Sequence, residues 1–457
     1  MTALVLTVAL SQSAPSDPPL PQPPAPPAAE APPSAVPSPA AASGGSARKT
    51  LEEVLKEKGV ITEEDYQKVK KTKPPGYSPG KGFTFTSEDG KFSLTLGGYI
   101  QPRYSFAQKD DEHVAPAQQA DVSEFRVRRA KFVLSGYAFT KDLTYKLQTE
   151  FTNSGNARML DDAYLNYRWR DELQVRGGQD KVPFSRQWLN AGWALSFIER
   201  SIASDAFYAG RDIGLMVNGK LLGGTITYVI GGYGGSGQST LSTSTDNAAA
   251  VRLVLNPLGD VPYVEADIDM SRSPLLSIGG NYYHKAFRRS TTAGANTNGF
   301  ATNNVQFVAN NLAFTSPSIP NGWLGSGANQ FDDAEKVDVD TLGADAVFKW
   351  MGLAVQGEFY YGRAEGQSSN ELLHAQGGYG QVGYMILPRH LEAAVRYSLV
   401  DPDTDQDDDS RTEYQGAVSY YFSGHPLKLQ AEFTHRRDDA RGGTDDRIYR
   451  LQAQLMF

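Results

Sequence analysis

The residues best equipped for chemistry are two groups of cations. Arg126, Arg128, Arg129 and Lys131 lie within one short run, and Lys181, Arg186, Arg200 and Arg211 lie in the stretch that follows Val175. Guanidinium and ammonium groups gathered in this way bind oxyanions through charge-assisted hydrogen bonds, and arginine can do so in a bidentate fashion. They do not by themselves carry out covalent chemistry. The histidines, His113, His284, His374, His390, His425 and His435, sit mostly in loops or at strand ends with no nucleophile motif beside them. There is no cysteine, hence no thiol catalysis and no thiolate metal site. The acidic run Asp401 to Asp409 begins like a calcium loop, but Gln406 stands where that loop needs Gly and Thr412 where it needs Glu. No catalytic residue, metal site or cofactor is expected.

The elements that must position these cations are strands. From Phe92 to the last residue, apolar and polar residues alternate in recurring short runs, the period of half-buried strands. Sixteen such runs can be counted, near 92–106, 123–138, 143–151, 160–169, 173–180, 212–221, 225–233, 248–256, 275–287, 337–350, 353–363, 374–386, 391–400, 413–422, 427–437 and 446–457. Their joints are mostly tight on one edge and long on the other; the stretch from Pro257 to Pro274 is an irregular joint on the tight edge. An even strand count with this asymmetry is the layout of an all-β, 16-stranded antiparallel transmembrane β-barrel. Tyr and Phe cluster at strand ends, as in Tyr282–Tyr283, Phe359–Tyr361 and Tyr420–Phe422, which suits interfacial girdles. The ending RIYRLQAQLMF puts Tyr449, Leu451, Ala453, Leu455 and Phe457 on one face, a lipid-facing stripe closed by an aromatic residue. A barrel of this size leaves a lumen too wide for side chains alone to fill.

Upstream, Ala3 to Leu10 form a short apolar run followed by small residues, and 1–14 is expected to be an atypical signal peptide, since no Lys or Arg precedes Arg48. Residues 15–47 are a Pro/Ala-rich linker, and 48–73 a short helical segment with a stop at Gly59 and a cap at Thr62. The barrel occupies 92–457. Net charge is −8 at pH 7, which disfavours nucleic acid as a partner.

Parity along each strand assigns the lumen. The apolar face of 143–151 turns Lys146 inward, and the same rule turns in Arg129, Lys131, Arg168, Arg176, Lys220, Arg252, Lys285, Lys349, Arg396, Lys428 and Arg450. The inward acids are Glu150, Asp162, Asp180, Asp212, Asp345, Glu358, Glu392 and Glu432, so twelve cations face eight acids. A basic lumen in an acidic protein favours an anion path. Arg126 and Arg128 share parity with Phe132 and Leu134, so strict alternation points them outward, unless a bulge re-aims them or they sit above the membrane against lipopolysaccharide phosphate. The stretch Lys181 to Arg211 greatly exceeds the usual connection of ~4–6 residues. It is the third long loop.

The runs FRVRRAKF at 125–132, LSGYAFTKDLTYKLQTEF, LDDAYLNYRWRDELQVRGGQDKVPFS, FIERS and AGRDIGLMVNG resemble the phosphate-selective porin O and P family, as does NPLGDVPYVEADIDMSRSP at 256–274, which is similar to that family's long periplasmic connection. The resemblance implies a trimeric barrel in the bacterial outer membrane, contacting lipid and lipopolysaccharide, whose third loop, here 181–211, folds into the lumen as a cationic constriction. It further implies passive diffusion of small anions, phosphate or polyphosphate-like solutes first, past Arg126, Arg128, Arg129, Lys131, Lys146, Arg168, Arg176, Lys181, Arg186, Arg200 and Arg211. Glu199, Asp205 and Asp212 depart from a purely cationic path. A carboxylate ~4 Å from an Arg interacts by about 4 kcal/mol at an effective dielectric near 20, enough to compete with an entering anion. Two alternatives stay open: a weakly selective general porin, and a plugged surface or adhesion barrel whose loop Arg288 to Lys336 binds a partner.

Overall fold

The computed structural model describes residues 55–60, 62–64, 76–110, 121–152, 159–235, 237–240, 245–290, 299–301, 331–332, 335–439 and 442–457. The chain divides into two units, 1–63 and 64–457. The signal-peptide and linker stretches lie outside the described residues, as do much of 48–73 and most of the loop Arg288 to Lys336. In the first unit, residues 55–57 are helical and Lys56 pairs with Glu63.

The second unit is a closed barrel of sixteen strands: β1 Ser93–Gln108, β2 Val122–Ala138, β3 Thr140–Glu150, β4 Leu160–Arg170, β5 Leu173–Lys181, β6 Arg211–Leu221, β7 Ile226–Tyr233 and β8 Ala248–Leu255, then β9 Leu275–Ser290, β10 Lys336–Trp350, β11 Leu353–Gly366, β12 Leu372–Leu387, β13 Leu391–Asp401, β14 Arg411–Tyr421, β15 Leu427–Asp438 and β16 Thr444–Met456. Each strand pairs antiparallel with its neighbour in sequence, and β16 returns to pair with β1, with Leu451 opposite Tyr104. Two short strands, Gly76–Ser78 and Gly82–Thr86, precede the barrel; the second pairs with the start of β1 at the tight-turn edge.

The alternation read from the sequence is the physical pattern of the wall. In β16 and at the residue that follows it, Tyr449, Leu451, Leu455 and Phe457 are exposed on the outer face while Gln452 and Gln454 are buried inside. The aromatic clusters divide in the same way. Tyr282, Phe359 and Tyr420 face outward, but their neighbours Tyr283, Tyr360 and Tyr421 are buried inward, because adjacent residues of a strand must point to opposite faces. Each cluster that looked like a girdle therefore turns one ring into the interior and leaves the rings beside it, Tyr282, Phe359 and Tyr361, and Tyr420 and Phe422, on the opposite face.

The register also shifts near several tight-turn ends, but two bulges matter for the lumen. On β2, register passes from Gln101↔Arg129 to Pro102↔Val127, leaving Arg128 as the extra residue. Pro102 has no N–H to give to a ladder, so pairing fails there at little cost. On β4, register passes from Gln148↔Asp162 to Thr149↔Leu160, leaving Asp161 extra. Beyond the first bulge Phe125 and Val127 are exposed on the outer face, and Arg126 and Arg128 line the interior. Strict alternation had pointed those two arginines outward.

The segment between β5 and β6 folds inward and carries two short helices, α1 Arg186–Leu189 and α2 Ile202–Phe207. Its apolar side chains, among them Val182, Phe184, Ile202, Ala206 and Phe207, form one core with Tyr233, Tyr283, Val337, Tyr360, Leu373 and Val400 on the long-loop half of the wall. Phe207 stacks on Tyr360 with ring centroids 5.4 Å apart. It also lies against Gly377, where an added Cβ would meet its ring at 2.7 Å. Replacing Phe207 by Ala is expected to cost about 3–5 kcal/mol, as for other buried aromatics. Urea unfolding of the detergent-solubilised barrel, followed by tryptophan fluorescence, measures this; a loss below about 1 kcal/mol would show that this core does not anchor the segment.

Candidate functional site

Inside the barrel, the backbone of the inner segment is irregular and needs partners. The wall supplies them with ionisable side chains. At the start of α1, Arg186 N and Gln187 N donate to Glu358 at 2.8 and 2.5 Å, and Ser185 caps the same turn by accepting from Trp188 N, which meets the usual deficit of a helix N-terminus. At its other end, Lys181 Nζ donates to the carbonyls of Trp188, Leu189 and Asn190 at 2.6, 3.2 and 3.0 Å. Arg200 donates to Gln187 O and Asn190 O at 3.0 and 2.8 Å. Lys181, Arg200 and Arg211 also surround the Trp188 ring, at 5.0, 4.8 and 5.6 Å from its centre, which adds cation–π attraction. Farther along, Ser196 Oγ donates to Glu392 (2.8 Å) and Ile198 N to Glu432 (2.7 Å), while Lys428 Nζ donates to Leu195 O (2.8 Å) and Arg396 to Glu199 O (2.9 Å).

The irregular joint on the tight edge enters the same network. Arg186 donates to Val261 O and Pro262 O and lies over the Tyr263 ring, and Glu265 accepts from Gln187 Nε2 and Ser196 N. Lys349 Nζ donates to Val264 O and Ala266 O. One side of the lumen is thus filled by two connections, one from each edge.

The other side is open. A cavity of about 1200 Å³ runs from Thr95 and Ser135, near the tight-turn ends of β1 and β2, to Arg126 and Glu150 near the long-loop ends. Thirteen cationic side chains and seven carboxylates line it, an excess of six positive charges. Nine of the eleven expected site residues are there: Arg126, Arg128, Arg129, Lys131, Lys146, Arg176, Lys181, Arg200 and Arg211. The remaining two are elsewhere. Arg168 lies at the tight-turn rim, paired with Asp142 and Asp171, and Arg186 is fully buried in the filled side. Lys220, assigned inward by parity, is also at that rim, against Asp260.

Within the cavity the charges are grouped. Asp162, inward by strand parity, and Asp161, brought in beside it by the β4 bulge, hold Lys131, Lys146 and Arg211; Lys146 and Arg211 each reach Asp162 at 2.7 Å. Arg176 pairs with Asp180 at 2.5 Å and lies over Tyr164. Arg436 pairs with Glu413 and Arg450 with Glu432, each at 2.5 Å. Glu199, on the inner segment, takes Arg103, Arg128 and Arg129 together. Burial works against its ionisation, but the three guanidiniums hold its carboxyl well below the usual range. Asp205, on α2, is pushed up to about 6 by burial, against the pull of Arg200.

Arg103, Arg436 and Lys81 belong to the lining and were not among the expected residues. For Arg103 the signal was present: Ile100, Pro102, Tyr104 and Phe106 alternate with Gln101, Arg103 and Ser105. The wall residues Lys349, Arg396, Lys428, Glu358 and Glu392, assigned inward by parity, are buried as expected, but the bonds above are to the two inward connections, and none of the five lines the cavity.

Comparison with known proteins agrees with this architecture. An anion-selective porin from Comamonas acidovorans superposes with a TM-score of 0.53 at 12% identity, covering 80% of this chain and all of that one. The outer membrane channel DcaP of Acinetobacter baumannii does so with a TM-score of 0.51 at 14% identity, covering 82% of this chain and all of that one. At these identities the likeness is one of fold. An uncharacterised protein of Aquifex aeolicus is 26% identical over 264 residues, which span 50% of this chain and 59% of the relative. The family model of the phosphate-selective porins O and P matches residues 99–457, and the chain, a closed sixteen-stranded barrel, belongs to that family of outer-membrane porins.

Proposed function

We propose that this outer-membrane porin passes small anions by passive diffusion, with phosphate or polyphosphate-like solutes favoured, and that Lys181 to Arg211 forms the constriction. The observation that carries the reading is the charge of the open side of the lumen: thirteen cations against seven carboxylates in a protein whose overall charge is −8. Rings of Arg and Lys select anions by field and hydrogen bonding, and conduction requires binding that is weak and spread over several sites. The arrangement meets both needs. Most of the cations are already paired with carboxylates, so each attracts an anion without trapping it, while the excess positive charge makes the whole path attractive. Preference for phosphate over other anions is supported by membership of the family.

The protein functions as a homotrimer embedded in lipid and lipopolysaccharide, in keeping with its family, and the N-terminal segment is periplasmic. That orientation is supported by the entry of the chain at the tight-turn edge, where Gly82–Thr86 pairs with the start of β1.

Reversal potentials of the purified barrel in a planar bilayer under asymmetric KCl test the central claim. An anion preference, with block of the chloride current by added phosphate, is expected; cation preference would refute the proposal, and absence of conductance would favour a plugged barrel. Replacing Arg128 and Arg129 together by Ala removes two positive charges and leaves Glu199 with Arg103. The chloride-to-potassium permeability ratio should fall several-fold or invert.

Acidity supplies a further check. Because the Asp205 carboxyl is raised to about 6, it takes up a proton as pH falls through that value, and the lumen gains one positive charge. Anion preference should therefore rise about twofold between pH 7.5 and 5, by the order of effect expected for one partly screened lumen charge. Asp205→Asn should give the high value at both pH values; a pH step of unchanged size in that variant would show that another group is responsible.

A further inference from the structure

Among the lumen carboxylates, Glu199 has an unusual position. It belongs to the inner segment rather than to the wall, and it accepts from three guanidiniums at once: Arg103 at 2.6 Å, Arg128 at 2.6 Å and Arg129 at 3.1 Å. The other bonds of Arg103 and Arg129 go to neutral groups, Gln452 Oε1 and Ile198 O for the first and Gln101 Oε1 for the second. One negative charge therefore faces three positive ones. The Arg103 and Arg129 side chains are 1% and 6% exposed, whereas that of Glu199 is 20% exposed and lines the cavity.

The geometry around its two oxygens is the geometry that a free oxyanion needs. Arg103 and Arg128 converge on one oxygen and Arg129 donates to the other, the multiple charge-assisted pattern by which guanidiniums hold carboxylate and phosphate groups. The backbone presenting the carboxylate is fixed on both sides, since Ile198 N donates to Glu432 and Glu199 O accepts from Arg396. The bulge that turns Arg128 inward completes the seat.

We infer that Glu199 is a tethered competitor: its carboxylate occupies a three-arginine seat suited to the carboxylate or phosphate group of a passing solute, which must share or displace it. This inference rests on the anion-channel reading and adds a residue that tunes it. A seat with no resident charge would hold an oxyanion too long. Glu199 keeps the three arginines ordered and shortens the stay.

The test is block of the chloride current in planar bilayers by inorganic phosphate and by acetate, with wild-type protein and Glu199→Gln. The amide keeps the shape and removes the charge. The half-blocking concentration of both oxyanions should fall at least tenfold in E199Q. Asp89→Asn, which removes a charge from an exposed turn outside the lumen, should leave it unchanged. If E199Q does not form barrels, Glu199→Asp shortens the reach to the three guanidiniums, and a smaller fall of about threefold is expected. An anion-preferring wild type whose block is unmoved by either substitution overturns this inference alone. A wild type without anion preference overturns the anion-channel reading as well.

Discussion

Everything inside this barrel depends on one requirement, that irregular backbone taken out of bulk water must find hydrogen-bond partners. A closed barrel satisfies its own strands, but the inner segment between β5 and β6 has two helices of four and six residues and little other regular structure, and a polar group left unpaired there costs about 1–3 kcal/mol. The wall answers with Glu358, Glu392, Glu432, Lys428 and Arg396, each bonded to a main-chain or hydroxyl group of the segment. Charged side chains on the inner wall thus hold the segment's backbone on one side of the lumen and line the open cavity on the other. Their abundance alone does not tell the two roles apart.

The asymmetry of the lumen follows from this division of labour. On the long-loop half of the wall from β6 to β13, apolar inward residues give the segment a dry core around Phe184, Phe207 and Tyr360. On the opposite side, β1 to β5 offer mainly arginine and lysine, whose charged groups stay in ion pairs and water and do not form an apolar core. The segment therefore packs against the first surface and leaves the second open to water. Hydrophobic burial chooses the side, and the cations line what remains.

Much of this was legible in the sequence because a strand repeats every two residues and each face meets a different solvent. The sixteen strands, the lipid-facing stripe ending in Phe457 and the inward burial of Arg252, Lys349, Arg396 and Lys428 all follow from that period. Where the period broke, the reading weakened. The bulges at Arg128 and Asp161 shift parity by one residue, and only the missing N–H of Pro102 hinted at the first. Adjacent tyrosines looked like one girdle, although alternation forces one of each pair inward.

The sequence by itself determined the barrel, the basic lumen and the long third connection, since these depend on composition and local period summed over many residues. Tertiary structure decided which charges meet. Arg103 and Glu199 are far apart in the chain, and so are Arg186 and Val261, and nothing local signals that the first pair borders the open path while the second is sealed in the filled side. The physical reason is that an ion pair or hydrogen bond forms only at about 3–4 Å, and distances of that size between distant residues are set by how the inner segment packs against the wall.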